Sequence, residues 1–398
     1  MRRIIMLISA NYAAIILYIC RKISGMPKYI YHQNNWTDFT WDDKVISPLL
    51  GEVRNMQGRL LGKMSVLSFS LKEEATLNTL TMDVLKTSEI EGEKLNRAQV
   101  RSSIARRLGI EIAGWVHSDR NVEGVVEMML DATQNYRQPL SEERLFGWHA
   151  ALFPTGRSGM YTCTVHTSTR KIEVAQYRSG EMQVISGAMG KERVHEAVPA
   201  KDVKTEMDKF LLWLNDDKVV IDSVLKSAIA HFWFVIIHPF DDGNGRIARA
   251  ISDMLLARSE NSSERFYSLS NQIQQEKNVY YETLKSEQHS EGDITQWLIW
   301  FLTCLKHALL EAEESMQNIL RKAEFWERHK EISINERQRT MINKLFDDFF
   351  GKLTSSKWAK ITKCSTDTAL RDIKDLIEKG ILQQEEEGGR SANYTLRE

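Results

Sequence analysis

The stretch that most constrains this chain runs from Ala228 to Arg258. An apolar run, Ala228 to Ile237, breaks at His238-Pro239, and a second helical pattern, Ile251 to Arg258, follows. This is helix, loop, helix, with Pro239 ending the first helix near His238. The connection reads His238-Pro239-Phe240-Asp241-Asp242-Gly243-Asn244-Gly245-Arg246-Ile247-Ala248-Arg249. Gly243 and Gly245 let the backbone come close to a bound group. Asn244, between them, tolerates left-handed geometry. The second helix starts at the end of the loop, and a helix N-terminus beside a glycine-rich turn is an anion site. The loop adds a base (His238), a hard-cation ligand (Asp242) and two guanidiniums, Arg246 and Arg249, one turn apart on one helix face. These are the parts that phosphoryl or nucleotidyl transfer requires. A plain helix–loop–helix connector has no need of them at these spacings.

The loop resembles the signature of the Fic family, HPFx[D/E]GNGRxxR, and matches it at each specified position. The resemblance implies transfer of AMP from ATP to a Ser, Thr or Tyr hydroxyl of a target protein, with ATP and Mg²⁺ required. It assigns His238 as the catalytic base and Asp242 as the metal ligand. Gly243, Asn244, Gly245, Arg246 and Arg249 become the phosphate-binding set. Phe240 anchors the loop. A kinase-like branch of the family has Lys where Gly245 stands, so Gly245 favours adenylyl transfer.

Bulk composition adds only bounds. The 398 residues suffice for two or three domains. Lys+Arg and Asp+Glu number 53 and 54, so nothing in the overall charge asks for nucleic acid or an anionic membrane. Six prolines and a dense helical periodicity indicate a mainly α chain. Cys20, Cys163, Cys304 and Cys364 have neither disulfide nor zinc spacing, which indicates a reducing, cytoplasmic setting.

Met1-Arg2-Arg3 precedes an apolar run, Ile4 to Cys20. The favoured reading is a start at Met26, with 1–25 an upstream extension. A membrane anchor and a signal peptide are the alternatives. Tyr29 to His32 and Trp36 to Trp41 resemble the opening of an N-terminal domain found on some Fic proteins. That domain is expected over 26–115, with helical spacing at Leu49, Val53, Met56, Leu60 and Leu61, and again at Leu77, Leu80 and Val84. At its second helix, Thr87-Ser88-Glu89-Ile90-Glu91-Gly92 resembles the Fic inhibitory motif [S/T]xxxE[G/N] through Thr87, Glu91 and Gly92. The implied role is a built-in brake, in which Glu91 pairs with Arg249 and displaces the ATP γ-phosphate. In some relatives this Glu also serves removal of AMP, which is one alternative activity.

The catalytic core is expected over 116–332. His149 is read as a core histidine. Short β-prone segments fall at Tyr161 to Val165, Lys171 to Val174 and Glu181 to Ile185. Arg178 to Val184 resembles the Fic flap, with Glu181, Met182, Gln183 and Val184 docking the target as an added strand. Met207, Phe210, Leu211 and Leu214 make a core stripe, and Tyr280 and Tyr281 are read as packing. Residues 333–398 resemble a winged helix-turn-helix, with helices near Asn335–Phe346, Ser355–Ile361 and Ser365–Lys379 and then a hairpin. Asp367, Asp372, Asp375, Glu378 and Glu385 to Glu387 make DNA binding the lesser reading there, behind protein interaction or dimerisation. The remaining alternative for the whole chain is a nucleotide-sensing transcription regulator.

Overall fold

The computed structural model describes residues 29–112, 114–158, 170–186, 192–347, 349, 351–385 and 393–397. It divides into two units, Met1–Leu309 and Leu310–Glu398. The expectations for Ile4 to Cys20 and for Tyr161 to Val165 lie outside the described residues.

In the first unit Asp42 accepts from Lys44 N and starts α1, Asp43–Ser65. Its buried side chains, Ile46, Val53, Met56, Leu60 and Met64, recur at three to four residues and form one face. Helices α2 (Phe69–Ile90), α3 (Arg97–Leu108), α4 (Arg120–Gln134) and α5 (Glu142–Leu152) follow. Gly124 lets α4 and α5 touch: a Cβ there would lie 1.8 Å from Ala151 O. The segment ahead of α1 is stitched to the far end of the unit. Ile30 N donates to Gln288 O at 2.7 Å, Thr40 N to Gly292 O at 2.9 Å, and Ile294 N to Thr40 O at 2.9 Å. The Trp36 indole donates to Glu206 at 3.1 Å.

Two small antiparallel pairs come next. β1 (Arg157–Ser158) pairs with β2 (Arg170–Lys171), and β3 (Gln183–Ser186) with β4 (Glu192–Glu196). The second pair sets Gln183 opposite Glu196 and Val184 opposite His195, then shifts register before Ile185. The strand expected from Lys171 to Val174 is shorter: β2 ends at Lys171, with one further rung from Ile172 N to Gly156 O. Glu181 and Met182 precede β3 rather than belonging to it.

Helix α6 (Val203–Asn215) leads into α7 (Ser223–Ile237) and α8 (Asn244–Glu260). Thirteen of the fifteen residues of α7 are buried, as an apolar run with no polar face demands. It starts five residues before the apolar run, where Asp222 accepts from Val224 N. Helices α9 (Leu269–Gln275), α10 (Lys277–Glu287) and α11 (Thr295–Arg328) complete the helical frame. Ile294, Trp297, Leu298, Phe301, Leu305 and Leu309 are all 0% exposed, as their spacing requires.

The second unit has α12 (Glu336–Asp347), α13 (Ser355–Thr362), α14 (Thr366–Glu378) and a hairpin, β5 (Leu382–Gln384) with β6 (Tyr394–Leu396). Ser365 caps α14 by accepting from Thr368 N. Met341, Ile342, Leu353, Trp358, Ile373 and Leu376 form its core. Asp372 does not lie on an outer acidic face, and the more exposed Asp375 is paired. Asp372 is 6% exposed and takes two bonds from Arg337, while Asp375 pairs with Lys379 and Gln338. Among the described residues no helix is long and apolar enough to cross a membrane.

Candidate active site

The loop between α7 and α8 is held from both ends. His238 terminates α7 in the left-handed region, φ 51° and ψ 60°, with its N–H on Phe234 O. A side chain bearing a Cβ adopts this only where the surroundings impose it. Gly243 makes the second left-handed turn at φ 81° and caps α8. A Cβ there would also meet the Phe153 ring at 2.9 Å. Asn244 is not left-handed as its position between glycines suggests; it is the first residue of α8. Its amide bridges the loop, accepting from Phe240 N at 3.0 Å and donating to Phe240 O at 2.7 Å. Phe240 is fully buried and stacks on His149 at 4.3 Å. His149 Nε2 lies 3.2 Å from Asp242 O, and Nδ1 accepts from Ala175 N. So His149 is a buried, satisfied histidine that also supports the loop.

His238 Nδ1 lies 3.2 Å from Val235 O. A carbonyl only accepts, so Nδ1 carries the proton and Nε2 the lone pair. Burial, reinforced by the charge of Arg178, lowers its pKa to about 4. The imidazole is therefore neutral at physiological pH and fit to accept a proton. Asp242 takes hydrogen bonds from Gly243 N and the Ser158 hydroxyl.

Both arginines are buried and both meet carboxylates from one place, the end of α2. Arg249, 1% exposed, gives Nη2 to Glu91 at 2.7 Å and to Thr87 O at 3.0 Å, and Nε to Thr87 Oγ1 at 2.7 Å. Arg246 gives Nη1 to Glu93 at 2.9 Å. Arg246 Nε and Arg249 Nη1 are buried without a hydrogen-bond partner. Such buried donors are costly unless an acceptor reaches them. The end of α2 has the geometry these pairs need. Glu91 is the C-cap and Gly92 follows at φ 87°. Gly92 N donates to Glu89 O and Glu93 N to Ser88 O, a Schellman closure. Gly245 makes room on the other side, since a Cβ there would stand 2.3 Å from Glu91 Oε1.

The loop and Glu91 share one cavity of about 290 Å³. Glu91, His238, Asp242, Gly243, Asn244 and Gly245 line it, with Met182, Tyr280, Tyr281 and Leu284 as apolar walls. A wider, open groove of about 520 Å³ between α4 and α5, lined by Arg107, Asp131 and Trp148, holds none of the motif residues. Tyr280 is both core and wall: it is 2% exposed, and its hydroxyl meets His231 at 2.9 Å. Of the four expected docking residues, Met182 faces the cavity and Glu181 bonds Ala200 N. Gln183 and Val184 contribute strand β3.

Sequence reading missed Glu93, Ser158 and Lys277, whose ammonium bonds Ile90 O at the end of α2. It placed Arg178 in a hairpin without a role. Glu93 carries no periodic signal: it is an isolated acid one residue beyond a glycine. The other three come from segments remote in the chain.

Two family models match the chain. The Fic/DOC family matches residues 139–256, and a domain of unknown function, DUF4172, matches residues 29–110. Protein adenylyltransferase fic-1 of Caenorhabditis elegans is 41% identical over 58 residues, 14% of this chain and 11% of that protein. Protein adenylyltransferase Fic of Nematostella vectensis is 28% identical over 141 residues, 35% of this chain and 29% of that protein. The chain thus aligns with less than a third of the length of these relatives. The crystal structure of a Fic family protein from Desulfovibrio desulfuricans G20 superposes with a TM-score of 0.50 at 20% identity, covering 88% of this chain and 96% of that one. A loop matched residue for residue and the family model laid over it show that residues 139–256 of this chain are a Fic domain.

Proposed function

We propose that this chain transfers AMP from ATP to a hydroxyl side chain of a target protein, and that Glu91 restrains it. The observation that carries the reading is one cavity lined by His238, Asp242 and the N-terminus of α8, with Glu91, the carboxylate that holds Arg249, on its wall. The naming of its relatives as protein adenylyltransferases supports it.

The N–H groups opening α8 hold the phosphates. Arg246 and Arg249 bind the outer ones. His238 Nε2 takes the proton of the target hydroxyl as its oxygen bonds the α-phosphorus. The bond from that phosphorus to the bridging oxygen breaks, and pyrophosphate leaves. Asp242 offers one hard oxygen ligand, which fits Mg²⁺ held mainly by phosphate oxygens; bound there, the ion would neutralise charge on the leaving group. The target adds a strand beside β3, which places its hydroxyl by backbone pairing.

Glu91 occupies the guanidinium that the γ-phosphate needs, and Glu93 does the same at Arg246. ATP entering past them sits with its outer phosphates displaced, and a misplacement of about 1 Å costs on the order of a hundredfold in rate.

The test is label transfer to protein from α-labelled ATP, with γ-labelled ATP in parallel. Glu91→Gly is expected to raise α-label transfer on the order of a hundredfold, and His238→Ala in that background to abolish it. Label from the γ position would indicate a kinase-like pose. No label from either would sink the reading.

A further inference from the structure

Arg178 is a buried cation outside the signature loop, 2% exposed, with no carboxylate as its hydrogen-bond partner among the described residues. Its guanidinium is surrounded by carbonyls. Nε donates to His238 O at 2.7 Å, and Nη2 to Ile237 O at 3.3 Å. These are carbonyls left open where α7 ends, a place that favours a cation. Nη1 donates to Gly180 O at 2.8 Å and Nη2 also to Val198 O. Gly180 lies three residues before β3 and Val198 two residues after β4. The main chain adds a further tie, Arg178 N to Pro239 O at 2.9 Å. Ala197 N on Met182 O continues the strand pairing between those ends.

One rigid fork therefore joins the carbonyl of His238 to both legs of the β3–β4 hairpin. His238 is itself held in a left-handed conformation that its side chain does not favour. Release of its carbonyl would free the backbone from which the imidazole projects. Lysine cannot replace the fork, because a single ammonium cannot reach carbonyls on three sides with fixed angles.

We propose that Arg178 is a positioning residue, which sets the strand that receives the target at a fixed distance from the His238 imidazole. This rests on the reading of the site given above. The phosphate-binding groups lie on α8 and do not contact Arg178, so its loss should leave ATP binding intact.

The experiment uses the full chain in the Glu91→Gly background, with Arg178→Lys and Arg178→Met. Four quantities are read: transfer rate at saturating α-labelled ATP, KM for ATP, thermal midpoint, and hydrogen exchange over 183–186 and 192–196 by mass spectrometry. Arg178→Lys keeps a cation at the helix end and should keep the parent's midpoint. Its transfer rate should fall on the order of tenfold to a hundredfold. KM for ATP should stay within about twofold, and exchange over the hairpin should quicken. Parental rate in Arg178→Lys overturns the proposal. So does a joint fall of rate, ATP binding and midpoint with no selective change in the hairpin, which would mark support of the fold alone. Should Arg178→Met fail to fold, the lysine variant carries the test. If the Glu91→Gly parent transfers no AMP, the reading of the site falls, and hairpin exchange still decides whether the clamp exists: unchanged exchange overturns it.

Discussion

Glu91 and Glu93 stand two positions apart and hold different arginines. Glu91 also has Thr87 beside it on the same guanidinium, so Arg249 is fixed by three hydrogen bonds and Arg246 by one carboxylate. Glu93→Ala should therefore release less than Glu91→Gly. The pair is partly exposed at Glu93, which limits it to about 1 kcal/mol, or about fivefold in transfer rate. Label transfer from α-labelled ATP measures it, and an unchanged rate would mean that Arg246 is not restrained in the resting state. His238 makes a prediction of its own. Its pKa is lowered to about 4, so the neutral base persists well below the usual histidine range. The acid limb of kcat/KM for the Glu91→Gly protein should fall near pH 4 rather than near 6.5. A limb centred near 6.5 would show an imidazole in ordinary solvent. The residues on the signature loop were legible in the sequence because twelve consecutive positions carry them. Their partners were legible only where a second motif marked them, as at Glu91. Glu93, Ser158 and Lys277 are placed by chain folding, which a local pattern does not encode.

Among the elements, the α4–α5 contact is the least forgiving. A glycine within a helix costs stability relative to alanine when the site is open. Gly124 reverses that expectation, since alanine would drive its Cβ into the backbone oxygen of Ala151 and no side-chain rotation could relieve it. Gly124→Ala should destabilise the protein by about 1–3 kcal/mol, seen as a lower thermal midpoint. A midpoint equal to or above the parent's would contradict the packing. Helices were the most legible part of the fold, because α1 and α11 carry a clear period and α7 a long unbroken apolar run. The strands were the least. Pairs of two to five residues are set by where the chain turns, and their pattern is too short to carry a period. In the second unit, α14 followed the sequence closely, while one of its acids, Asp372, is buried rather than part of an acidic surface. Charge counted along a helix ignores direction, and Asp372 and Asp375 turn toward Arg337, Gln338 and Lys379.

Over the whole molecule, pH acts through groups buried in the neutral form. His149 and His238 are lowered to about 4 and His231 to about 3, in each case first by burial. From pH 6.5 downward the unfolded chain binds protons at these positions and the native chain does not, so stability falls toward pH 4. Asp83 and Asp253 act in the opposite sense. Burial raises both, Asp253 to about 6, so the native chain takes up protons there first. Burial also raises Glu287, to about 7, so three carboxylates oppose the three histidines and the thermal midpoint should change little between pH 6.5 and 4.5. A steep fall or rise of the midpoint over that range would contradict this balance.

The stitching of Ile30 and Thr40 to the far end of the first unit, and of Trp36 to α6, has one more consequence. Under the restraint proposed above, Glu91 and Glu93 cannot leave by departure of a domain without breaking those ties as well. The cheaper route is fraying of the last turn of α2 at its Schellman closure, an opening equilibrium internal to the folded chain. The ratio of transfer rates between Glu91→Gly and the native protein then measures the free energy of that opening. A hundredfold ratio corresponds to about 2.7 kcal/mol. Amide exchange at Gly92 and Glu93 should report the same free energy without any reaction taking place.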